Sequence, residues 1–109
     1  MNVCYVFADS PTEWNCSEWR CLNPSDALNA TKEHSATLLW SPSFAEYGSP
    51  AIQDIVGRAD VIIVQRNFFF PEIWAAMDYW RALGKTVAVD LDDDYPALPW
   101  SNIAHKCWL

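Results

Sequence analysis

Glycine is scarce in this chain, and its three residues lie where they cannot form either of the common phosphate-binding loops. They are Gly48, Gly57 and Gly84, and none follows the first strand-like segment. A dinucleotide fingerprint needs GxGxxG after a strand, and a P-loop needs GxxxxGK followed by Ser or Thr. The sequence contains neither pattern, so neither class of nucleotide site is predicted.

Basic residues and long apolar runs are also few. Seven Lys and Arg stand against 14 Asp and Glu, a net charge of −7, which disfavours a nucleic-acid backbone or an anionic membrane as the main partner. No apolar run approaches the ~20 residues that a transmembrane helix needs. The N-terminus lacks the basic and then apolar segments of a signal peptide. A cytoplasmic location is therefore expected.

The four cysteines lack the paired short spacings that are typical of structural zinc sites. Cys4 lies within the first strand-like segment and is predicted to be a buried apolar residue. One mixed set of side chains could be drawn as an alternative zinc site: Cys16, Cys21, His34, His105 and Cys107. The spacing does not favour it, so no bound metal or cofactor is predicted for this domain.

Short apolar segments alternate with helical ones along the chain. Strands are predicted at residues 2–8, 36–40, 61–65 and 86–90, and helices at residues 24–32, 51–57 and 71–83. Strands that are apolar throughout are typical of a sheet covered on both faces. With right-handed crossovers this predicts an α/β fold: a three-layer, Rossmann-like, doubly wound parallel sheet of about four strands in the order 2-1-3-4. Residues 1–109 are read as one such domain, with 96–109 a tail leading toward sequence that is missing.

Local signals set the expected ends of these elements. Asn23 is predicted to cap the first helix, with Pro24 at its first position, and Gly84 is predicted to end the last helix. Ser10–Arg20 and Ser41–Pro50 are predicted as loops. The last helix carries a single apolar stripe at helical spacing: Ile73, Ala76, Met77, Trp80 and Leu83.

The segment Lys85–Tyr95, KTVAVDLDDDY, joins the last predicted strand to a cluster of carboxylates. The cluster consists of Asp90, Asp92, Asp93 and Asp94. Such groups repel one another and cannot enter a core unpaired, so they are expected at an open strand end that faces water, a cation or a hydroxylated ligand. Because neighbouring side chains alternate in direction along a strand, few of them can converge, and a metal site is not predicted. The alternative is a solvated acidic turn that only ends the strand.

In parallel sheets ligands bind beyond the carboxyl ends of the strands, near the switch point. The predicted loop Ser10–Arg20, the tripeptide Gln65–Asn67 and the acidic cluster all fall there. Arginine, carboxylates and exposed tryptophans on one rim suit a polyhydroxylated ligand. The alternative is that Arg66 simply pairs with one aspartate. The predicted substrate-binding residues are Trp19, Arg20, Gln65, Arg66, Asn67, Asp90, Asp93 and Asp94.

Four segments in order resemble the N-terminal half of GT-B glycosyltransferases, and are most similar to a group often of phage or environmental origin. The segments are WNCSEWRCLNPSDALNA (14–30), ADVIIVQRNF (59–68), RALGKTVAVDLDDDY (81–95) and LPWSNIAHKCW (98–108). The order and spacing of these motifs are fairly specific, and they cover nearly the whole chain. The positions that match the family's motifs are Arg20, Pro24, Gln65, Arg66, Asp90, Asp92, Asp93 and Asp94.

The resemblance implies two Rossmann-like domains that face each other across a cleft. The N-terminal domain mainly binds a carbohydrate or other hydroxylated acceptor, and a C-terminal domain binds the nucleotide-diphosphate sugar, the co-substrate. The 109 residues contain no such donor domain, and SPTEW replaces the glycine-rich turn of many family members. The chain is therefore expected to be part of a two-domain enzyme and to be inactive by itself.

The resemblance also implies roles for the acidic cluster. Asp92 is the expected cleft-facing carboxylate, which orients an acceptor hydroxyl or removes its proton. Arg66 is expected to fix its position, and Asp90 to brace the turn.

A rival hypothesis is a non-catalytic, flavodoxin-like or receiver-like binding module, since receiver domains also gather aspartates at strand ends. In their usual pattern an acidic pair follows the first strand and the phospho-acceptor ends the third. Here the first strand is followed by Asp9 alone, and the third ends in Gln65 and Arg66. That placement disfavours the receiver hypothesis.

Overall fold

The computed structural model describes residues 1–91. The last three aspartates of the acidic cluster, Asp92 to Asp94, and the tail 96–109 lie outside the described residues. The strands are β1 (Asn2–Phe7), β2 (Ser35–Trp40), β3 (Val61–Gln65) and β4 (Thr86–Asp90). The helices are α1 (Asn23–Ala30), α2 (Ser41–Phe44), α3 (Pro50–Gly57) and α4 (Pro71–Ala82), with a π-helical turn at Glu18–Leu22 and a 3-10 turn at Asn67–Phe69.

The strands form one parallel sheet in the order β2-β1-β3-β4, which confirms the predicted class and strand order. In the register of the two central strands, Val3 lies beside Val61 and Val6 beside Val64. The chain reverses its winding direction between β1 and β3, so the carboxyl ends of these two strands flank the switch point where such sheets bind ligands.

Helices pack on both faces of the sheet, as the short apolar strands predicted, although the edge strand β4 has no fully buried residue. One face of the sheet, which we call the α4 face, packs against α2, α3 and α4. Its strand residues include Cys4, Val6, Leu39, Ile62 and Val64. The opposite face, which we call the α1 face, packs against the π-helical turn and α1. Its strand residues include Val3, Tyr5, Phe7, Leu38 and Ile63. Burial of apolar side chains on both sides is the main stabilising contribution to such a sheet.

Gly84 ends the last helix, as predicted, by a specific hydrogen-bond pattern. Its φ is +88°, a left-handed conformation that suits glycine. The N–H of Gly84 donates to the carbonyl of Arg81, and the N–H of Lys85 donates to the carbonyl of Trp80. This Schellman arrangement satisfies carbonyl groups at the helix end and turns the chain into β4.

The helix boundaries differ from the prediction in several places, and α1 ends at Ala30 instead of residue 32. The region predicted as loop up to Arg20 ends in the π-helical turn, which runs directly into α1. Asn23 is therefore already helical, and the residue before α1 is Leu22, which makes no side-chain capping bond. A four-residue helix occupies part of the predicted loop Ser41–Pro50. Leu83 is 59% exposed because α4 ends at Ala82, whereas the other members of its predicted stripe are buried. No helix in residues 1–91 is long and apolar enough to cross a membrane.

Candidate functional site

Side chains from several segments meet at the carboxyl ends of β1, β3 and β4. We call this region the carboxyl rim; its residues are Asp9, Ser17, Arg20, Gln65, Arg66, Asn67 and Asp90. All but Asp9 and Ser17 were predicted as site residues from the sequence.

Asp9 anchors the loop that follows β1. Its Oδ2 accepts hydrogen bonds from the backbone N–H groups of Asn15, at 2.9 Å, and Ser17, at 2.8 Å. Its Oδ1 accepts one from Nη2 of Arg66 at 2.9 Å. The Asp9 side chain is only 7% exposed, so these partners replace the water that the carboxylate loses on burial. The loop is thereby fixed across the top of β1 and β3.

The same contacts shift the ionisation of Asp9. Burial by itself raises the pKa of the carboxyl group, but the hydrogen bonds from Ser17 and Asn15 and the charge of Arg66 favour the ionised form and together lower the pKa below its ordinary value. Asp9 is therefore a carboxylate throughout the neutral range. The sequence indicated Asp9 only as the residue that ends the first strand, and it gave no sign of these partners.

Gln65 lies beneath the rim and is 1% exposed. Its Oε1 accepts from the Ala8 N–H at 2.9 Å, from the Ser17 hydroxyl at 2.5 Å and weakly from the Cys21 thiol at 3.9 Å. Its Nε2 has no hydrogen-bond partner, a costly state for a buried donor. The prediction that Gln65 contacts substrate does not fit this burial: the side chain supports the loop from below.

Arg66 has the left-handed φ of +39°. Such a conformation costs a non-glycine residue of the order of 1–2 kcal/mol and is frequent at functional sites. Its backbone N–H donates to the carbonyl of Asp90 at 3.0 Å, while its guanidinium pairs with Asp9. The alternative that Arg66 pairs with an aspartate is thus confirmed for Asp9. The predicted role of Arg66 in positioning Asp92 involves a residue outside the described range.

Asn67 turns away from the two ion pairs toward the helical layer of the α4 face. Its Nδ2 donates to Oγ of Ser41 at 3.2 Å, so it links the end of β3 to the residue that follows β2. Three consecutive residues, Gln65 to Asn67, therefore tie β3 to three different neighbours. The tripeptide was predicted from the sequence, but nothing in the sequence indicated Ser41.

Arg20 crosses the α1 face from the π-helical turn to β4. Its Nε lies 2.9 Å from Oδ2 of Asp90, and its Nη2 lies 2.5 Å from Oδ1. The parallel two-point geometry fixes both groups more firmly than a single contact does. Trp19 precedes Arg20 in the same turn and is 73% exposed, so its indole is available to a ligand or partner.

Cys21 lies next to these charges on the inner side of the turn and is 1% exposed. Burial, followed by the nearby carboxylates of Asp90 and Asp9, raises the pKa of its thiol to about 12, and the charge of Arg20 opposes this only in part. A thiol that remains protonated is a poor nucleophile and a poor metal ligand. No group of three or more His, Cys, Asp or Glu side chains in residues 1–91 is placed to hold a metal ion.

A small groove lies at the same end of the sheet, on the α4 face. Its volume is about 150 Å³, and its lining residues are Ser41, Pro42, Phe70, Glu72 and Ile73. We call it the Phe70 groove. A larger cavity of about 330 Å³ lies near the amino ends of β1 and β2, where Asn2, Ser35 and Arg58 are among its lining residues.

The carboxylates of Asp9 and Asp90 are both engaged in the two described ion pairs of the rim. Comparisons of the chain with protein-family models, with curated proteins and with solved structures found no match.

Proposed function

We propose that this chain is the acceptor-side half of a glycosyltransferase of the GT-B type. In the complete enzyme a sugar would pass from a nucleotide-diphosphate donor to an acceptor hydroxyl. The donor would be held by a second, C-terminal domain. The carboxyl rim of this half would face the cleft between the two domains.

The observation that carries the proposal is the meeting of Arg20, Arg66 and Asp90 at one rim. These residues come from three separate segments of the sequence, each of which resembles a motif of the family. Their contacts fix the point at which β4 ends and the acidic cluster begins. A carboxylate that must reach a reacting hydroxyl benefits from such fixed surroundings.

The proposed chemistry assigns the reacting carboxylate to Asp92. It would accept the proton of the acceptor hydroxyl as that oxygen bonds to the anomeric carbon of the donor sugar. The bond from that carbon to the diphosphate oxygen breaks, and the nucleoside diphosphate leaves with the electron pair. In this half, Arg66 and the Arg20–Asp90 pair hold the backbone that precedes Asp92.

The test uses the complete reading frame that contains these residues. Release of nucleoside diphosphate is measured with a panel of nucleotide-diphosphate sugars and neutral saccharide acceptors. Asp92→Asn, which keeps the shape and removes the charge, is compared with Asp78→Asn on the exposed side of α4. We expect Asp92→Asn to reduce kcat/KM more than about tenfold, which corresponds to ~1.4 kcal/mol of transition-state stabilisation, and Asp78→Asn to leave it unchanged. Absence of sugar-dependent release, or a smaller loss with Asp92→Asn, contradicts the proposal.

The receiver-like rival receives no support from the first strand. Both oxygens of Asp9 accept hydrogen bonds from protein groups, whereas a receiver needs an open acidic pair there to hold Mg²⁺. Incubation with acetyl phosphate and Mg²⁺ tests the rival directly. Stable phosphorylation of an aspartate would favour it over the transferase.

A further inference from the structure

The Phe70 groove combines an apolar surface with two polar groups. Phe70 is 39% exposed, and Ile73 beside it is 3% exposed. Pro42 completes the apolar part, while Ser41 and Glu72 add a hydroxyl and a carboxylate. One ligand class that matches this mixture is a sugar ring, whose C–H face is apolar and whose edge carries hydroxyl groups.

The polar groups of the groove are able to exchange hydrogen bonds with hydroxyls. The Ser41 oxygen accepts a hydrogen bond from Asn67, which leaves its own proton to donate. The Glu72 carboxylate accepts hydrogen bonds, and those made to a charged acceptor are among the stronger ones. Ser41 is held in place by burial, since it is only 4% exposed.

The volume and the charge of the groove restrict the class of ligand that it could bind. The groove volume of about 150 Å³ is below the ~300–1,000 Å³ of typical small-molecule pockets, so it suits one ring rather than a nucleotide sugar. Glu72 and the net charge of −7 oppose phosphates, sulfates and uronic acids. Trp40 and Trp74, next to the lining residues along the chain, are also exposed, at 39% and 47%.

We propose that the Phe70 groove is a subsite for one neutral hexopyranose residue of the acceptor. The ring would lie against Phe70, with hydroxyls directed to Glu72 and Ser41. The assignment to an acceptor rests on the proposed transferase function, whereas sugar binding by the groove does not. Asn67 is then a positioning residue that acts through Ser41.

The test is a titration of the ¹⁵N-labelled chain with the methyl glycosides of glucose, galactose and mannose, followed by amide chemical shifts. We expect saturable shifts at Ser41, Phe70 and Ile73 at millimolar concentrations for at least one glycoside, and weaker binding of methyl glucuronide. Shifts confined to other surfaces, or none with any of the neutral glycosides, would overturn the proposal.

Variants identify the groups responsible. Glu72→Gln and Phe70→Ala should each weaken binding by about fivefold or more, a loss comparable to that of one hydrogen bond. Glu33→Gln and Leu83→Ala, which change exposed residues away from the groove, should leave the affinity unchanged, and the amide spectra of all four variants report whether each is folded. Equal affinity of Glu72→Gln, Phe70→Ala and the unmodified chain would reject the subsite.

The outcome is separable from that of the transferase test. Sugar-dependent nucleotide release without shifts at the groove would reject the subsite and leave the transferase proposal standing. Shifts at the groove without transfer by the complete protein would keep the subsite and favour a carbohydrate-binding module.

Discussion

The Arg20 guanidinium and the Asp90 carboxylate make a two-point ion pair between residues 70 positions apart in the chain. The pair links the π-helical turn, which carries Arg20, to β4, which ends at Asp90. The two side chains are 40% and 28% exposed, so water screens their attraction in part. The two-point geometry, rather than the charge alone, distinguishes this pair from an ordinary surface contact.

We expect Arg20→Lys to lower the free energy of unfolding by about 1 kcal/mol, because an ammonium cannot reproduce the planar two-point contact. Urea unfolding at low and high salt measures the effect. Arg58→Lys is the matched control, since the Arg58–Asp54 pair is 75% and 64% exposed and should contribute no more than about 0.5 kcal/mol. Equal losses for the two variants would show that the geometry of the Arg20 pair adds nothing.

The contacts of Asp9 predict a pH dependence of stability. Its folded-state pKa is lowered, so the stabilisation is fully present above the unfolded value of about 3.9 and is lost as the pH falls below it through the folded-state pKa. Asp9→Asn should destabilise the protein by about 3 kcal/mol at neutral pH, because it removes a buried charge that pairs with Arg66 and accepts hydrogen bonds from the loop. Urea unfolding at several pH values should give a shallower acid dependence for Asp9→Asn than for the unmodified chain. Parallel pH profiles would contradict the assignment.

The backbone of Arg66 predicts an order between two variants. Arg66→Gly and Arg66→Ala both remove the guanidinium, but only glycine adopts a positive φ without steric cost. Arg66→Gly should therefore be more stable than Arg66→Ala by about 1 kcal/mol, measured by thermal or urea unfolding. Gly84→Ala is the control for the same physics, since Gly84 has a φ of +88°, and it should destabilise by a similar amount. An Arg66→Ala variant as stable as Arg66→Gly would show that residue 66 is not strained.

The last two members of the predicted apolar stripe, Trp80 and Leu83, should respond differently to truncation. Trp80 is 2% exposed and packs in the core, so Trp80→Ala should cost about 3–5 kcal/mol. Leu83→Ala should cost no more than about 0.5 kcal/mol, as is usual for exposed positions, because Leu83 lies beyond the end of the helix. Trp80→Phe should be milder than Trp80→Ala, since it keeps most of the apolar volume and removes an indole N–H that has no partner. Chemical denaturation of the three variants measures the series.

The buried thiols predict a pattern of chemical labelling. Burial raises the pKa of both Cys4 and Cys21 to about 12, so both should react slowly with a thiolate-specific reagent at pH values near 8. Asp9→Ala should release the loop above Cys21 and speed its labelling more than that of Cys4, which lies inside the sheet. Mass spectrometry of labelled peptides measures each site. Equal acceleration at both cysteines would indicate global unfolding rather than release of the loop.

The sequence was sufficient to predict the class of the fold and the strand order. Segments such as VIIVQ are apolar without alternation because both of their faces are buried or half-buried, and right-handed crossovers leave few ways to connect them. The sequence also placed Arg20, Gln65, Arg66 and Asp90 near one edge, because residues that follow parallel strands end at the same side of a sheet. These predictions rest on the periodicity of apolar residues, which is a local property of the sequence, and on general rules of chain connectivity.

The partners of those residues were decided only by the tertiary structure. Asp9 and Asp90 each carry an equivalent charge, and no local rule indicates that Arg66 contacts the first and Arg20 the second. The choice depends on strand register, on the π-helical turn that carries Arg20, and on the left-handed backbone of Arg66. Ser17 and Ser41 are ordinary polar residues in the sequence, and they gain their roles because the packing of β1, β2 and β3 brings Gln65 and Asn67 within hydrogen-bond distance. Such distances follow from long-range packing, which residue patterns do not encode locally.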